Sequence, residues 1–299
     1  MAKSIHNTVM LGSLSISFPE MRRNAKEEAR KIEVDAHATN GTVSATKHLM
    51  AGVMKHKAIK DNAAKHRAWW ASVSLPWFDG KGAPRAVNAL GVTDLKIELG
   101  NRKREYFELV EDFMPDYPVL RAQRQFEMGE LFDPKQFPSP MELRRKFAFN
   151  SDWYSLPDSA DIRVVEGIDA DELKVLSDEA RTSEQRRIAH AMEVVAQKLH
   201  KVVKSMHTTM STPNGEKGGK FNNTKLENIL LVAEQIPFLN LTNDPKLKAL
   251  AAEAKKLATK SPDELREDDV KRKAAAKEAE TLATKLAGMF SIGEDDDEE

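Results

Sequence analysis

The chain has 299 residues, of which 40% are hydrophobic and 31% are charged, and its formal net charge is −1. This length and composition are typical of a folded, helix-rich protein with one large or two small cores. The absence of cysteine excludes disulfides, zinc–thiolate sites and cysteine nucleophiles. The charge is uneven, because the last nine residues hold six acidic groups and residues 1–290 therefore carry +5.

The first elements are predicted from periodicity and capping signals. Apolar and polar residues alternate over residues 8–18, which predicts a half-buried strand. Ser17 and Glu20 have the spacing of a capping box, so a charged helix is expected from there to about Asp35. The next predicted helices, interrupted by the turn sequence FDGKGAP, cover residues 44–73, 94–114 and 118–131.

A second capping signal and a β-like segment complete the first half. Ser139 and Glu142 again have capping-box spacing, and residues 146–165 are expected to pair with residues 8–18. The second half has helical patterns throughout. We therefore predict a mainly α fold with a small antiparallel β element (α+β), long helices and a C-terminal helical bundle. The predicted parts are an N-terminal α+β unit (1–167), a C-terminal helical unit (168–290) and a disordered acidic tail (291–299).

One helix of the second half carries an apolar seam. Its members follow alternating four- and three-residue spacing: Ile188, Met192, Val195, Leu199, Val202 and Met206. Such a seam needs a partner helix, either from this chain or from another copy. Residues 188–206 are therefore a possible homo-oligomer interface.

Two short patterns resemble phosphate-binding and metal-binding motifs only in part. In NGEKGGK, Gly215 lies one residue too close to Gly219–Lys220 for a phosphate-binding loop, and Phe221 stands where a hydroxyl is needed. Glu193, His200 and His207 recur every seven residues, which is too far apart for one metal ion. We predict neither a cofactor nor a metal site.

A third pattern is the enzymatic alternative. Pro157–Asp158 with Glu172–Leu173–Lys174 matches a metal-dependent nuclease motif, in which the Glu and Lys must lie on a strand. Here the sequence predicts a helix start capped by Asp169 or Asp171 instead. The chain is therefore expected not to be an enzyme, with nuclease activity as the alternative.

The strongest functional pattern combines cations with aromatic rings. Residues 47–67 hold six Lys and Arg residues against one acid, and three tryptophans follow within nine positions. Cations that track phosphates beside rings that stack on bases bind single strands without sequence preference. The opposing interpretation is that large aromatics near a helix end form core, and that the lysines spread around the helix. The predicted nucleic-acid-binding residues are Lys55, Lys57, Lys65, Arg67, Trp69, Trp77, Phe78, Lys81 and Arg85.

The two ends of the chain suggest location and partners. The N-terminal sequence has no unbroken apolar run, and no later stretch approaches the ~18 apolar residues of a spanning helix, so a cytoplasmic protein is expected. The acidic tail is expected to occupy a cationic groove or to dock partner proteins.

The chain contains, in this order, LSIS (14–17), LPWFDG (75–80), GELFDPKQFPSPMELRRKFAF (129–149), LPDSADIRV (156–164), LNLTNDP (239–245) and LREDDVKRK (265–273). Together these stretches resemble an uncharacterised family of tailed bacteriophages and related mobile elements, a domain of unknown function. The resemblance covers about residues 10–285 and brings no activity and no catalytic residues. It implies a phage protein that acts in the host cytoplasm during DNA replication or recombination.

Two functions follow as hypotheses. The first is a non-enzymatic, sequence-tolerant single-stranded DNA-binding or recombination accessory protein that meets replication proteins through its acidic tail. The alternative is a protein-interaction or assembly factor, a helical scaffold that works with a phage ATPase and does not bind nucleic acid.

Overall fold

Residues 5–78, 80, 82–156, 169–212 and 221–290 are described by the structure, a computed structural model. They form a mainly helical fold with a small antiparallel sheet, which confirms the predicted fold class. The α-helices in this part of the chain are α1 (Lys26–Asp35), α2 (Met54–Ser72), α3 (Val92–Phe113), α4 (Tyr117–Met128), α5 (Pro140–Arg144), α6 (Ala170–Ser211), α7 (Thr224–Leu239), α8 (Pro245–Ala258), α9 (Pro262–Glu267) and α10 (Asp269–Phe290). The strands are β1 (Val9–Ser17), β2 (Arg22–Asn24), β3 (Thr46–His48), β4 (Leu75–Pro76), β5 (Arg85–Asn88) and β6 (Ala148–Ser155).

The chain divides into two compact units, and both are built from separate stretches of sequence. Unit 1 comprises residues 1–13, 71–95 and 152–299, and unit 2 comprises residues 14–70 and 96–151. This division differs from the predicted linear boundary at residue 167. Unit 1 combines distant stretches of sequence because their apolar side chains pack together. Residues of β1, β4 and β5 share one buried cluster with residues of α6, α7 and α8.

The four-stranded sheet has the order β4-β5-β1-β6. The predicted pairing of residues 8–18 with residues 146–165 is confirmed in β1 and β6, whereas Ile162 and Val164 lie outside the described residues. The hairpin β4–β5 was predicted only as a turn. Its second strand runs antiparallel to β1, with Val9 opposite Asn88 and Leu11 opposite Ala86.

The apolar seam of α6 is filled by helices of the same unit. Leu199 and Met206 are fully buried in a cluster with residues of α7, α8 and α10, and Met192 and Val195 belong to the cluster that covers the sheet. The buried part of the seam therefore has its partner helices in this chain, the first of the two alternatives, and a homo-oligomer through residues 188–206 stays a prediction.

Unit 2 begins differently from the prediction. Ser17 ends β1 rather than capping a helix, and Met21 adopts a left-handed backbone conformation with φ 51°. Residues 22–24 then pair with residues 46–48 as an antiparallel ribbon, so α1 starts only at residue 26. The helix predicted from residue 44 likewise starts late, after Gly52 (φ 73°), because its first residues belong to this ribbon.

Two other capping signals are confirmed. Ser139 Oγ accepts a hydrogen bond from the Glu142 amide (3.3 Å), and Glu142 Oε2 accepts one from the Ser139 amide (2.8 Å). Asp169 Oδ1 accepts a hydrogen bond from the Glu172 amide (2.8 Å) at the start of α6. Local sequence therefore determines where both of these helices begin. Within the described residues, no helix is both long and apolar enough to cross a membrane.

A buried guanidinium closes the C-terminal end of α6. Arg272 of α10 is 3% exposed, and it donates hydrogen bonds to the carbonyls of Thr209 (2.8 Å), Met210 (3.1 Å) and Thr212 (2.9 Å). The last carbonyls of a helix lack partners within the helix, and a cation suits the negative end of its dipole. Arg272 therefore stabilises the packing of α10 on α6.

We expect Arg272→Met to lower the free energy of unfolding by roughly 2–4 kcal/mol, because it keeps most of the side-chain volume but leaves buried carbonyls without donors. Chemical denaturation monitored by circular dichroism measures this change. Lys273→Met is the matched control, because Lys273 is exposed on the same helix. Equal destabilisation by the two substitutions would contradict the role of Arg272.

Candidate nucleic-acid interface

Trp69 is the predicted stacking residue that stays partly accessible in unit 2. Its indole is half-buried near the end of α2, and the guanidinium of Arg102 from α3 lies over the ring, 4.0 Å from its centroid. The neighbouring Trp70 is 5% exposed and belongs to the core. The two adjacent rings therefore have different roles, because successive residues of a helix point in different directions.

Arg102 is positioned by a polar network between α2 and α3. Arg102 Nη1 lies 3.1 Å from His66 Nδ1, and Arg102 also pairs with Glu98 at 2.8 Å. Since a guanidinium can only donate, His66 Nδ1 accepts this hydrogen bond. His66 is fully buried, and burial lowers its pKa, which favours the neutral ring that this arrangement requires.

A carboxylate extends the network along the two helices. Glu105 accepts hydrogen bonds from Asn62 Nδ2 (2.8 Å) and Lys65 Nζ (3.3 Å). Residues further along α2 contact residues that lie earlier in α3, since Lys55 pairs with Asp112 and Asn62 bonds to Glu105. The two helices therefore pack antiparallel. This packing fixes the positions of Lys65 and Trp69.

The predicted cations of α2 differ in their availability to phosphates. Lys55 Nζ pairs with both Asp112 (3.0 Å) and Asp116 (2.6 Å), and these two carboxylates raise its pKa. A phosphate would have to displace two carboxylates from Lys55, and its role as a phosphate ligand stays a prediction. Lys57 and Lys65 each pair with one acid and stay exposed.

Arg67 is committed to contacts within unit 2. One of its Nη atoms donates to the Ile16 carbonyl, and its guanidinium lies over the Phe18 ring, 5.4 Å from the centroid. The side chain is exposed, but this hydrogen bond and this cation–π contact hold its guanidinium against other residues of unit 2.

The predicted residues of unit 1 are mostly part of its structure. Trp77 is 5% exposed and packs in the cluster between the sheet and the helices, so the prediction that it stacks on a base is wrong. Arg85 donates to the Ser74 hydroxyl (2.7 Å), the Ser74 carbonyl (2.8 Å) and the Ala71 carbonyl (3.3 Å). These contacts hold the turn after α2, and the role of Arg85 as a phosphate ligand stays a prediction.

Phe78 differs from its neighbours on the hairpin. It is 41% exposed, and the guanidinium of Arg187 lies 5.2 Å from the centroid of its ring. It remains a candidate stacking residue of unit 1, whereas Lys81 lies outside the described residues.

The two units differ in charge. Unit 2 contains 21 Lys and Arg residues against 16 Asp and Glu residues, a formal charge of +5. Unit 1 contains 25 against 31, a formal charge of −6, and the six acids of the last nine residues account for this excess. Unit 2 is therefore the unit whose net charge attracts a polyanion.

Sequence reasoning missed Arg102, the residue that most affects Trp69. The available signal was the run RKR at residues 102–104, in the middle of the predicted helix 94–114. The charge was visible, but its contact with a ring on another helix depends on the antiparallel packing of α2 and α3.

The described residues do not support the nuclease motif or a metal site. Glu172 and Lys174 lie in the first two turns of α6 rather than on a strand, and Asp158 lies outside the described residues. His207 contacts the Ala276 carbonyl through Nδ1 (3.1 Å), as a residue between two packed helices. Among the described residues, no three His, Asp or Glu side chains are arranged to hold a metal ion.

No family model matches the chain, and no curated protein or solved structure does either. The candidate interface is therefore defined by its own geometry and charge.

We expect the stability of the protein to fall as the pH drops below about 6.5, the ordinary pKa of histidine. Because burial lowers the pKa of His66, the unfolded chain binds a proton that the folded chain does not, until the pH reaches the lower folded value. Thermal unfolding between pH 5 and pH 8 measures this dependence.

In this window His66→Gln should reduce the slope of stability against pH by at most about 1.4 kcal/mol per pH unit, the value for one proton. The control is His48→Gln, which changes an exposed histidine of the same unit. A His66→Gln protein that keeps the full pH dependence would show that His66 does not carry this effect.

Proposed function

We propose that the protein is a non-enzymatic, sequence-tolerant single-stranded DNA-binding protein that binds the strand through unit 2. The observation that carries this proposal is the charge of +5 on unit 2, together with a half-buried indole beside Lys65 and Arg102. The strand-binding residues in this proposal are Lys57, Lys65 and Trp69. This set is smaller than the predicted one, because the other members are buried, committed to internal contacts or outside unit 2.

The ion pairs of Lys57 and Lys65 are compatible with strand binding. Both lysine side chains are 66% exposed, and exposed pairs contribute only about 0–1 kcal/mol to stability. When a phosphate displaces Asp61 or Glu105 from its lysine, little ion-pair free energy is therefore lost. The release of counterions from the strand favours the complex.

The stack at Trp69 supports a base contact. An indole with a guanidinium over its ring resembles the cation–π and stacking surfaces that bind bases without reading their identity. The ring is held from within by the α2–α3 network, so little conformational entropy is lost when a base contacts it. The resemblance to phage sequences suggests replication or recombination in the host cytoplasm as the setting for this binding.

We expect fluorescently labelled oligo-dT to bind the full chain with an affinity that falls as salt rises. The double variant Lys57→Gln, Lys65→Gln should reduce the slope of log K against log salt by about 1.4, since each single-strand phosphate contact contributes about 0.7. Anisotropy titrations at several salt concentrations measure the slope. Lys246→Gln, Lys248→Gln is the matched control, because it removes the same charge from exposed positions of α8 in unit 1.

Trp69→Leu should cost about 1–3 kcal/mol of binding free energy if a base stacks on the ring, whereas Trp69→Phe keeps a stacking surface. No binding at low salt, or binding that ignores salt, would disprove the proposed function. Equal slopes for the two lysine double variants would disprove the assignment to unit 2.

A second candidate function is protein assembly, and the first half of α6 favours it. Residues 171–190 contain no buried side chain over about 30 Å of helix, and Val175 (56%) and Leu176 (38%) are exposed large apolar residues. In the other half of the helix, by contrast, buried residues pack against α7 and α10. An exposed helical segment of this kind suits docking of a second copy or a partner protein.

This candidate predicts a defined oligomer that oligo-dT does not change, measured by size-exclusion chromatography with light scattering. Val175→Glu, Leu176→Glu should dissociate the oligomer, because charges would be buried in the contact. The control Thr182→Glu, Gln185→Glu changes two exposed polar residues of the same segment and should leave it intact. A monomer at all concentrations tested would contradict self-assembly through α6.

A further inference from the structure

Unit 2 contains a cavity that shares Lys57 with the proposed strand surface but does not include Lys65 or Trp69. It lies between the β2–β3 ribbon and the first two turns of α2, and its volume is about 280 Å³. This volume is close to the lower end of the roughly 300–1,000 Å³ range of small-molecule sites. The cavity therefore has room for one compact ligand.

Cations dominate the charged lining of the cavity. Arg22, Lys57 and Lys60 face one acid, Glu20, which lies 3.9 Å from Arg22. Lys57 also forms an ion pair with Asp61, whereas no acid among the described residues forms an ion pair with Lys60. The lining thus keeps a positive excess, and the positive end of the α2 dipole adds to it because residues 52–54 also line the cavity.

The two histidines of the lining have different surroundings. His48 is exposed and lies opposite Arg22 in the ribbon. His56 is buried, donates from Nε2 to the Pro19 carbonyl (2.8 Å), and burial together with Lys60 lowers its pKa. His56 is therefore a neutral wall of the cavity, and the positive charge comes from the lysines and Arg22.

The uncharged part of the lining consists largely of methionine. Met21 and Met50 are buried at 5% exposure and Met54 is exposed, and all three border the cavity. Methionine sulfur makes favourable contacts with aromatic rings, and its flexible chain adapts to different ring shapes. Met21 is also held in the left-handed region (φ 51°), with its carbonyl bonded by the Leu49 amide at 2.8 Å, so the wall has a fixed shape.

We propose that this cavity binds a phosphate monoester that carries an aromatic ring, the chemistry shared by a free mononucleotide and the 5′-phosphorylated end of a strand. Lys60, Arg22 and Lys57 contact the phosphate, and the three methionines contact the ring. A monoester is the better fit because its two negative charges match the cationic excess. The strand-end source rests on the proposed function, whereas the free-nucleotide source does not.

The test uses the full chain labelled with ¹³C at the methionine methyl groups, titrated with dTMP and, as the matched probe without phosphate, thymidine. The resonances of Met21, Met50 and Met54, assigned by single Met→Leu variants, should shift with dTMP and not with thymidine. Lys60→Gln should weaken dTMP binding about tenfold, as the loss of one charge-assisted contact implies. Lys103→Gln, an exposed lysine of α3 outside the cavity, should leave it unchanged.

Competition separates the two sources. If 5′-phosphorylated oligo-dT displaces dTMP and 5′-hydroxyl oligo-dT does not, the ligand is a strand end. If neither oligonucleotide displaces dTMP, the ligand is a free nucleotide, and the proposal stands even where strand binding fails. The proposal is overturned if dTMP shifts none of the three methionines, if thymidine binds equally well, or if Lys60→Gln and Lys103→Gln have equal effects.

Discussion

The contact between Arg102 and Trp69 is the interaction on which the candidate interface depends. Arg102 is held over the ring by His66, which accepts one of its hydrogens, and by Glu98, and His66 can accept only while it is neutral. Burial favours that neutral state by lowering the pKa of His66. The burial of one histidine therefore positions the guanidinium, and the guanidinium determines how much of the indole remains for a ligand. The burial of His66 between α2 and α3 is therefore a structural requirement of the proposed binding at Trp69.

The parts of the fold that the sequence predicts are those encoded by local signals. The alternation in β1 and the capping residues Ser139 and Asp169 act within a few positions, and the structure contains each of them. The capping signal at Ser17 failed because a nonlocal interaction competes with it: residues 22–24 pair with residues 46–48, more than twenty positions away. The division into units was unpredictable for the same reason, since the hairpin after α2 packs in the core of unit 1.

The candidate site shows the same limit more sharply. The sequence identified the basic, tryptophan-rich region but could not rank Trp69, Trp70 and Trp77, because their burial depends on residues distant in the chain. It also overestimated the free positive charge of α2, because the acids that pair with Lys55 lie at the other end of α3 and beyond. Composition predicts how much charge a segment carries. Only tertiary contacts decide which charges are left for a ligand.

The near-zero net charge of the whole chain is a poor guide to its binding properties. Screening limits electrostatic attraction to about 8–10 Å at physiological salt, so a polyanion senses local charge rather than the total. The charges that such a ligand meets near α2 are therefore those of unit 2, whose formal charge is +5. The cavity extends along α2 to Lys60, and Trp69 lies about 14 Å further along the helix axis, with Lys65 between them. A strand that contacts both regions must follow α2, so the geometry of this one helix links the proposed strand surface to the cavity.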